Sequence, residues 1–135
     1  MNWKHWIGKN QALAIGQGLA GEESDYFQGV LDSLEKTIST MPKVYEQDGL
    51  GEDAVIYLHY FQGGADWYIT ERDTSEEQLQ AFGYACLGFG PDCDELGYIS
   101  IEELIASPLM ELDLHWIPVT LGEMKAARYG KEVEA

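Results

Sequence analysis

Apolar side chains recur at helical spacing between residues 22 and 41 and form a single stripe. The stripe consists of Phe27, Val30, Leu31, Leu34 and Ile38. Carboxylates occupy the first turn of this segment, where they suit the helix dipole, and Pro42 follows its last turn. The pattern therefore predicts one long helix in the N-terminal part of the chain.

Strand-forming residues then predict a hairpin over residues 54–71, with a short glycine turn at residues 62–65. This turn pairs Phe61 with Asp66, Tyr60 with Trp67, Leu58 with Ile69 and Ile56 with Glu71. One face of the hairpin is then apolar and carries Ile56, Leu58, Tyr60, Trp67 and Ile69. The other face is aromatic with polar tips and carries Tyr57, His59, Phe61, Tyr68 and Thr70.

Further strands are predicted in the second half of the chain. A polar turn at residues 74–77 precedes a third strand at residues 79–89, in which Gly83 and Gly88 indicate bulges or close backbone approach. A fourth strand is predicted at residues 96–100, and apolar and polar residues alternate again at residues 112–118.

Two capping boxes predict short helices in the same region. They are formed by Ser100 with Glu103 and by Thr120 with Glu123. The charged tail from Tyr129 onward is expected to fray. Together the elements predict an α+β fold, in which an antiparallel sheet of four to five strands carries one long N-terminal helix and short capping helices.

The N-terminal segment is predicted to form an extension, residues 1–29, that packs on or flanks a single α+β domain of residues 30–135. Four glycines in the first 21 residues weaken any helix prediction there. Trp3 and Trp6 are expected to fold back and fill a groove on the domain, and a docking arm with tryptophan anchors is the alternative.

Acidic charge is the strongest signal in the composition, because the formal net charge is −16. Between residues 44 and 124, 17 Asp and Glu accompany one base, Arg72. Direct binding to a nucleic-acid backbone is not expected, since it needs Lys and Arg to replace counterions. No apolar run is long enough to span a bilayer and no signal-peptide pattern is present, so we expect a cytoplasmic protein. The oligomeric state stays open.

Metal-ligand patterns are weak in this chain. Cys86 and Cys93 lack CxxC spacing, and the three histidines are scattered. No resident cofactor or metal is therefore predicted, and Cys86 is expected to be a buried, small apolar residue.

Several segments, taken in order, resemble a family of small proteins of unknown function found in bacteria, plasmids and phages. They are MPKVYEQD, YLHYFQGGADWYITERD, FGYACLG, ELGYISIEEL and LDLHWIPVTL, and the resemblance runs from about residue 30 to residue 123. Some family members carry a label of single-stranded DNA endonuclease, and many lie on mobile elements. The resemblance places family acidic positions at Glu71, Glu95, Glu103 and Asp113, with Trp67 and His115 nearby.

Three functions are compatible with these residues. The favoured one is a non-catalytic acidic accessory domain, of mobile-element origin, that binds a protein partner. It would dock through its acidic perimeter or through an aromatic face. The candidate residues of that face are Tyr57, His59, Phe61, Tyr68 and Trp67.

Two alternatives remain open. An acidic nucleic-acid mimic would inhibit a DNA-binding host defence enzyme by imitating a phosphate track. A metal-dependent single-stranded DNA endonuclease would gather carboxylates around Mg²⁺ or Mn²⁺. Its catalytic candidates are Glu71, Glu95, Asp113 and His115.

Overall fold

A five-stranded antiparallel sheet lies at the centre of the computed structural model, which describes residues 3–75 and 80–134, with side chains described as far as residue 130. The helices are α1 (Lys9–Ala20), α2 (Ser24–Thr40), α3 (Ile101–Ala106) and α4 (Leu121–Glu134). The strands are β1 (Val55–Ile56), β2 (Leu58–Gln62), β3 (Ala65–Glu71), β4 (Gln80–Cys86), β5 (Glu95–Ser100), β6 (Glu111–Leu112) and β7 (Val119–Thr120). The predicted turn at residues 74–77 lies partly outside the described residues.

The strand order of the large sheet is β5-β4-β3-β2-β6, and β1 pairs separately with β7. Strands β2 to β5 are consecutive neighbours, which confirms the predicted meander and the α+β fold. The predicted hairpin register is confirmed from the turn as far as the pair Leu58–Ile69. Ile56 pairs with Val119 instead of Glu71, because the chain leaves the ladder at Tyr57 and β1 turns toward β7.

The first face of the sheet, which carries Leu58, Tyr60 and Ile69, packs against the helices α1, α2 and α3. The apolar stripe of α2 meets this face through Leu31, Leu34 and Ile38, which are all buried. Burying each such side chain contributes about 1.5–3 kcal/mol relative to leaving it exposed. This layer is the predicted long helix on the sheet, with α1 added beside it.

The N-terminal extension packs into this layer. Trp6 is 1% exposed, and its carbonyl oxygen accepts a hydrogen bond from the Tyr60 hydroxyl. The Gln11 side chain donates to the carbonyl of Leu112 and accepts from its N–H, both at 2.8 Å. The predicted folding back of the tryptophans is thus confirmed for Trp6, and α1 forms despite its glycines.

The second face of the sheet, which carries His59, Tyr68 and Tyr84, is covered by α4 and by the segment that precedes it. Leu121 and Met124 of α4 are buried there. The prediction of a short last helix with a tail frayed from Tyr129 is wrong, because α4 continues to Glu134. The buried side chains of Leu121 and Met124 hold the helix on the second face, and this long-range contact cannot be predicted from the local sequence.

Of the alternating segment at residues 112–118, only Leu112 belongs to a strand, which is β6 (Glu111–Leu112). Leu114 packs on the first face, whereas Trp116 crosses to the second. Ser100 and Thr120 cap the predicted helices through their hydroxyls, since the N–H of Glu103 donates to Ser100 Oγ at 3.2 Å and that of Glu123 to Thr120 Oγ1 at 3.1 Å. Among the described residues, no helix combines the length and apolarity needed to cross a membrane.

Strand β3 carries one extra residue opposite β4. Ile69 pairs with Gly83, but the next pair is Glu71 with Phe82, so Thr70 is the bulged residue. A Cβ atom on Gly83 would collide with the Tyr68 carbonyl group and lie 2.9 Å from its carbon. Gly83 is therefore required by the close approach of the two backbones, as its position in a strand predicted.

Replacing Gly83 with Ala should lower the free energy of unfolding by about 3 kcal/mol, because the new methyl group meets backbone that cannot move aside. Gly97 is the matched control, since it pairs with Gly83 in β5 and a Cβ there meets open space. Gly97→Ala should change the stability by less than about 0.5 kcal/mol. Urea unfolding of both variants measures this, and equal losses would contradict the close-approach argument.

Candidate functional site

The aromatic face that was predicted to dock a partner is covered by the chain itself. The His59 ring stacks on Tyr68 at 4.8 Å and lies 5.1 Å from the ring of Trp116. Tyr68 is buried, and Trp116 donates through its indole to the carbonyl of Ile56 at 3.1 Å. The polar tips of this face therefore point into a covered layer.

The remaining docking candidates do not share one open surface. Tyr57 and Trp67 pack against the first face, beside the helices. Phe61 is half-buried next to His59, with ring centroids 5.6 Å apart. These side chains therefore pack against other parts of the sheet and do not form one exposed patch.

A network of charged groups lies within the covered layer. His59 Nε2 is 2.8 Å from Asp66 Oδ1, and its Nδ1 is 3.4 Å from Asp113 Oδ2. Arg128 of α4 donates to Asp66 Oδ2 at 2.8 Å and to the Tyr68 hydroxyl at 3.4 Å. One carboxylate, that of Asp66, thus joins the hairpin to the last helix.

Sequence reasoning singled out His59 and Asp113 but not Asp66 or Arg128. The only signal at Asp66 was its pairing opposite Phe61, and Arg128 lies 62 residues further on. Burial lowers the pKa of Arg128, but its hydrogen bond to Asp66 and the nearby Cys86 and Tyr68 raise it more, so the net pKa lies above the usual value. The guanidinium stays charged within this layer.

A second group of polar side chains fixes α4 at β4 and β5. The Tyr129 hydroxyl donates to Asp94 and lies 3.4 Å from the Tyr84 hydroxyl and 3.7 Å from Cys86 Sγ. Burial is the main reason that the pKa of Tyr129 is raised, with its hydrogen bond to Asp94 next. Burial likewise raises the pKa of Cys86 to about 11. Both groups remain protonated near neutral pH and act as structural contacts.

The four catalytic candidates of the nuclease hypothesis lie in different places. Glu95 begins the edge strand β5 and Asp113 follows β6 at the opposite edge, which separates them by about 19 Å, or four strand spacings. Glu71 ends β3, and the His115 ring contacts the Tyr26 hydroxyl at 3.3 Å. Within the part of the chain that the structure describes, no three His, Cys, Asp or Glu side chains are placed to hold a metal ion.

Glu71 points into a cavity of about 520 Å³ at the end of the second face. Paired residues of neighbouring strands share a face, and Glu71 pairs with Phe82 on the second face. Without the bulged Thr70, strand alternation would turn Glu71 to the same side as Ile69. Glu71 as a whole residue is 4% exposed, and its carboxyl group accepts a hydrogen bond from the Thr70 hydroxyl.

The other walls of the cavity are mostly apolar. They come from the sheet, from the start of α4 and from the loop after α2, and they include Val44, Ala54, Phe82, Leu96 and Leu121. The loop at residues 45–53, here named the acidic loop, forms the outer wall. Such a volume lies within the range of about 300–1,000 Å³ typical of small-molecule pockets.

Side-chain hydrogen bonds hold the acidic loop against the sheet. Gln47 donates to the carbonyls of Val55 and Thr70, both at 2.9 Å, and accepts from the Val55 N–H at 2.7 Å. Tyr45 has a φ of 79°, a left-handed conformation that is costly for this residue type, and its hydroxyl lies 2.7 Å from that of Tyr98. The loop is therefore held in one arrangement at the cavity mouth.

Four exposed carboxylates lie on the acidic loop, and they belong to Glu46, Asp48, Glu52 and Asp53. Asp48 also lines the cavity, and Glu52 lies 3.5 Å from the ammonium group of Lys125 on α4. Tyr45 at 69%, Leu96 at 45% and Tyr98 at 55% exposure add apolar surface beside them. The sequence analysis assigned no role to this segment, although the VYEQ stretch within the family resemblance was a signal for it.

Asp66→Ala should lower the free energy of unfolding by about 2 kcal/mol, because Arg128 and His59 both lose an acceptor in a half-buried layer. Asp113→Ala should cost less than about 1 kcal/mol, because its contact with His59 is longer and more exposed. Urea unfolding of the two variants gives the order, and an equal or larger loss for Asp113 would contradict it.

Thiol labelling of the folded protein near neutral pH should modify Cys93 alone. Cys93 is exposed, whereas Cys86 is buried and its pKa of about 11 keeps it protonated and unreactive. Mass spectrometry should find one adduct in the native protein, none in Cys93→Ser, and two under denaturing conditions. Native labelling of Cys86 would show that α4 does not stay closed over β4.

One protein-family model matches residues 31–115, and its description is "Protein of unknown function (DUF2958)". The match covers more than half of the chain, from α2 to the segment after β6, and leaves out α1 and α4. Comparison with curated proteins and with solved structures finds no match. All cavity residues named above except Leu121 lie within the matched span, and the chain belongs to this family of proteins of unknown function, DUF2958.

Proposed function

We propose that this chain is a non-catalytic binding domain whose acidic loop docks a basic protein partner. The observation that carries the proposal is the exposed surface of Tyr45, Leu96 and Tyr98 at the acidic loop, which carries four exposed carboxylates, among them Asp48 in the cavity wall. Interfaces combine aromatic anchors at their centre with a polar, charged rim. This surface has that composition, and its three apolar side chains are exposed in the described structure.

The charge of the domain supports a basic partner. The net charge of −16 attracts cationic surfaces and repels phosphate backbones, and the strongest excess lies between residues 44 and 124. Complementary charge at a rim mainly speeds association and selects among partners, while buried contacts at the centre slow dissociation. A partner is therefore expected to present Lys or Arg next to apolar side chains.

The separation of the carboxylates favours binding over hydrolysis of nucleic acid. Two-metal phosphoryl chemistry needs carboxylates that converge on two ions about 4 Å apart, whereas Glu95 and Asp113 lie at opposite edges of the sheet. Glu71 is directed into a cavity with mainly apolar walls. These positions support a role in recognition for Glu71, the buried carboxylate of the described residues.

The test begins with a random peptide library selected against the folded domain. Two variants with the same change in net charge then separate specific docking from general attraction. The rim variant carries Glu46→Gln, Asp48→Asn, Glu52→Gln and Asp53→Asn. The control variant carries Glu22→Gln, Glu23→Gln, Asp25→Asn and Asp32→Asn at and before α2, which packs on the opposite face. Amide replacements keep the size and one acceptor oxygen of each side chain while they remove its charge.

Selected peptides should contain Arg or Lys beside apolar residues, and the rim variant should bind them about tenfold more weakly, with a reduced salt dependence. The control variant should lose less than about twofold. Fluorescence anisotropy at two salt concentrations gives these affinities. Equal losses in both variants would overturn loop docking and favour a general acidic mimic, and selected peptides without basic residues would overturn the basic partner.

A further inference from the structure

Glu71 is a buried carboxylate without a cationic partner in the described structure. It is 96% buried, since 4% of its surface is exposed, and its hydrogen-bond partner is the Thr70 hydroxyl. The described salt bridges involve other groups, and neither Arg72 nor any other described base pairs with it. A buried charge is costly unless it is paired, so this position is suited to receive a cation.

The walls around Glu71 define what kind of cation fits. Phe82, Leu96 and Val44 give the cavity apolar sides, and Gln47 offers no free amide because its side chain is already bonded to Val55 and Thr70. A strongly hydrated ion would gain one carboxylate and lose its water. A cation on an aliphatic stem would instead bury the stem against these walls and present its charge to Glu71.

We propose that this cavity receives one arginine side chain of the partner, with its guanidinium group on the Glu71 carboxylate. The inference rests on the proposed function and names the anchor of the same surface. Arginine suits the site better than lysine, because its planar group bonds carboxylates through two N–H donors, is less strongly hydrated and stacks on aromatic rings. Phe82 and Tyr45 supply such rings in the cavity wall.

The acidic loop sets the entrance to this site. Asp48 lies on the loop and also lines the cavity, so an entering guanidinium meets exposed negative charge before the buried carboxylate. The hydroxyl contact between Tyr45 and Tyr98 holds Tyr45 at the mouth, where its ring can cover the aliphatic stem. The exposed Asp48 carboxylate would thus attract the guanidinium group to the entrance, and Glu71 would bind it inside the cavity.

The direct test titrates the folded protein with arginine blocked at both its amino and carboxyl ends, observed by two-dimensional amide NMR. Blocked citrulline is the matched probe, because it has nearly the same shape and no charge. Blocked arginine should shift the amide signals of Thr70, Glu71 and Phe82 in a saturable manner, and blocked citrulline should not. Equal shifts with both probes, or shifts confined to the exposed loop, would overturn the proposal.

Variants then test the peptides selected for loop docking. Glu71→Gln keeps the size of the side chain and should weaken binding of an arginine-containing peptide at least about tenfold, while Asp48→Asn should weaken it about twofold. Circular dichroism checks that Glu71→Gln is folded. If it is not, Leu96→Trp provides the second variant, because it fills the cavity mouth and leaves Glu71 in place.

Leu87→Trp is the control for this second variant, since Leu87 is similarly exposed, at 47%, and does not line the cavity. Leu96→Trp should abolish the response to blocked arginine, and Leu87→Trp should leave it unchanged. Peptides that depend on the rim carboxylates but ignore Glu71→Gln and Leu96→Trp would overturn the arginine site and leave the proposed docking function standing. Peptides whose binding is also unaffected by the rim variant would overturn both the arginine site and the proposed docking function.

Discussion

The close approach of β3 and β4 at Gly83 determines how the rest of this domain is arranged. The Tyr68 carbonyl occupies the space that a side chain on Gly83 would need, and β3 accommodates an extra residue, Thr70, beside it. A bulge of this kind changes which face the following residue points to. Glu71 is consequently directed away from the helices on the first face and into the cavity under the acidic loop. The bulge at Thr70 thus places the Glu71 carboxylate in the cavity instead of in the packed first face.

Both faces of the sheet are covered by other parts of the chain. On the second face, the Asp66 carboxylate bonds His59 within the hairpin and Arg128 on α4, while Tyr129 bonds Asp94 at the start of β5. These contacts lie in a half-buried layer, where charged hydrogen bonds contribute more than they do in water. The helix that they hold occupies the aromatic face, so the exposed apolar surface lies instead at the acidic loop, where we propose that a partner docks.

Much of the fold could be predicted because its signals are local. The glycine turn set the hairpin register as far as Leu58–Ile69, and the capping boxes at Ser100 and Thr120 marked helix starts through neighbours three residues away. The direction of Glu71 could not be predicted, because it depends on a bulge that arises where two strands meet. The packing of α4 on the sheet could not be predicted either, because Arg128 bonds Asp66, which lies 62 residues earlier in the sequence. The charged residues of this segment also have the pattern of a solvent-exposed tail.

Gln11 has a consequence for the domain beyond packing. Strand β6 is at the edge of the sheet, and the amide of this single side chain occupies both the N–H and the carbonyl of Leu112. An unoccupied edge is a template on which a second copy can add its own strand, the first step toward cross-β assembly. Gln11 therefore occupies the hydrogen-bonding groups through which a further strand would pair with Leu112. A fragment trimmed to the family-matched residues 31–115 would lack Gln11 and Trp6. It would expose apolar side chains of the first face next to the unpaired backbone groups of Leu112.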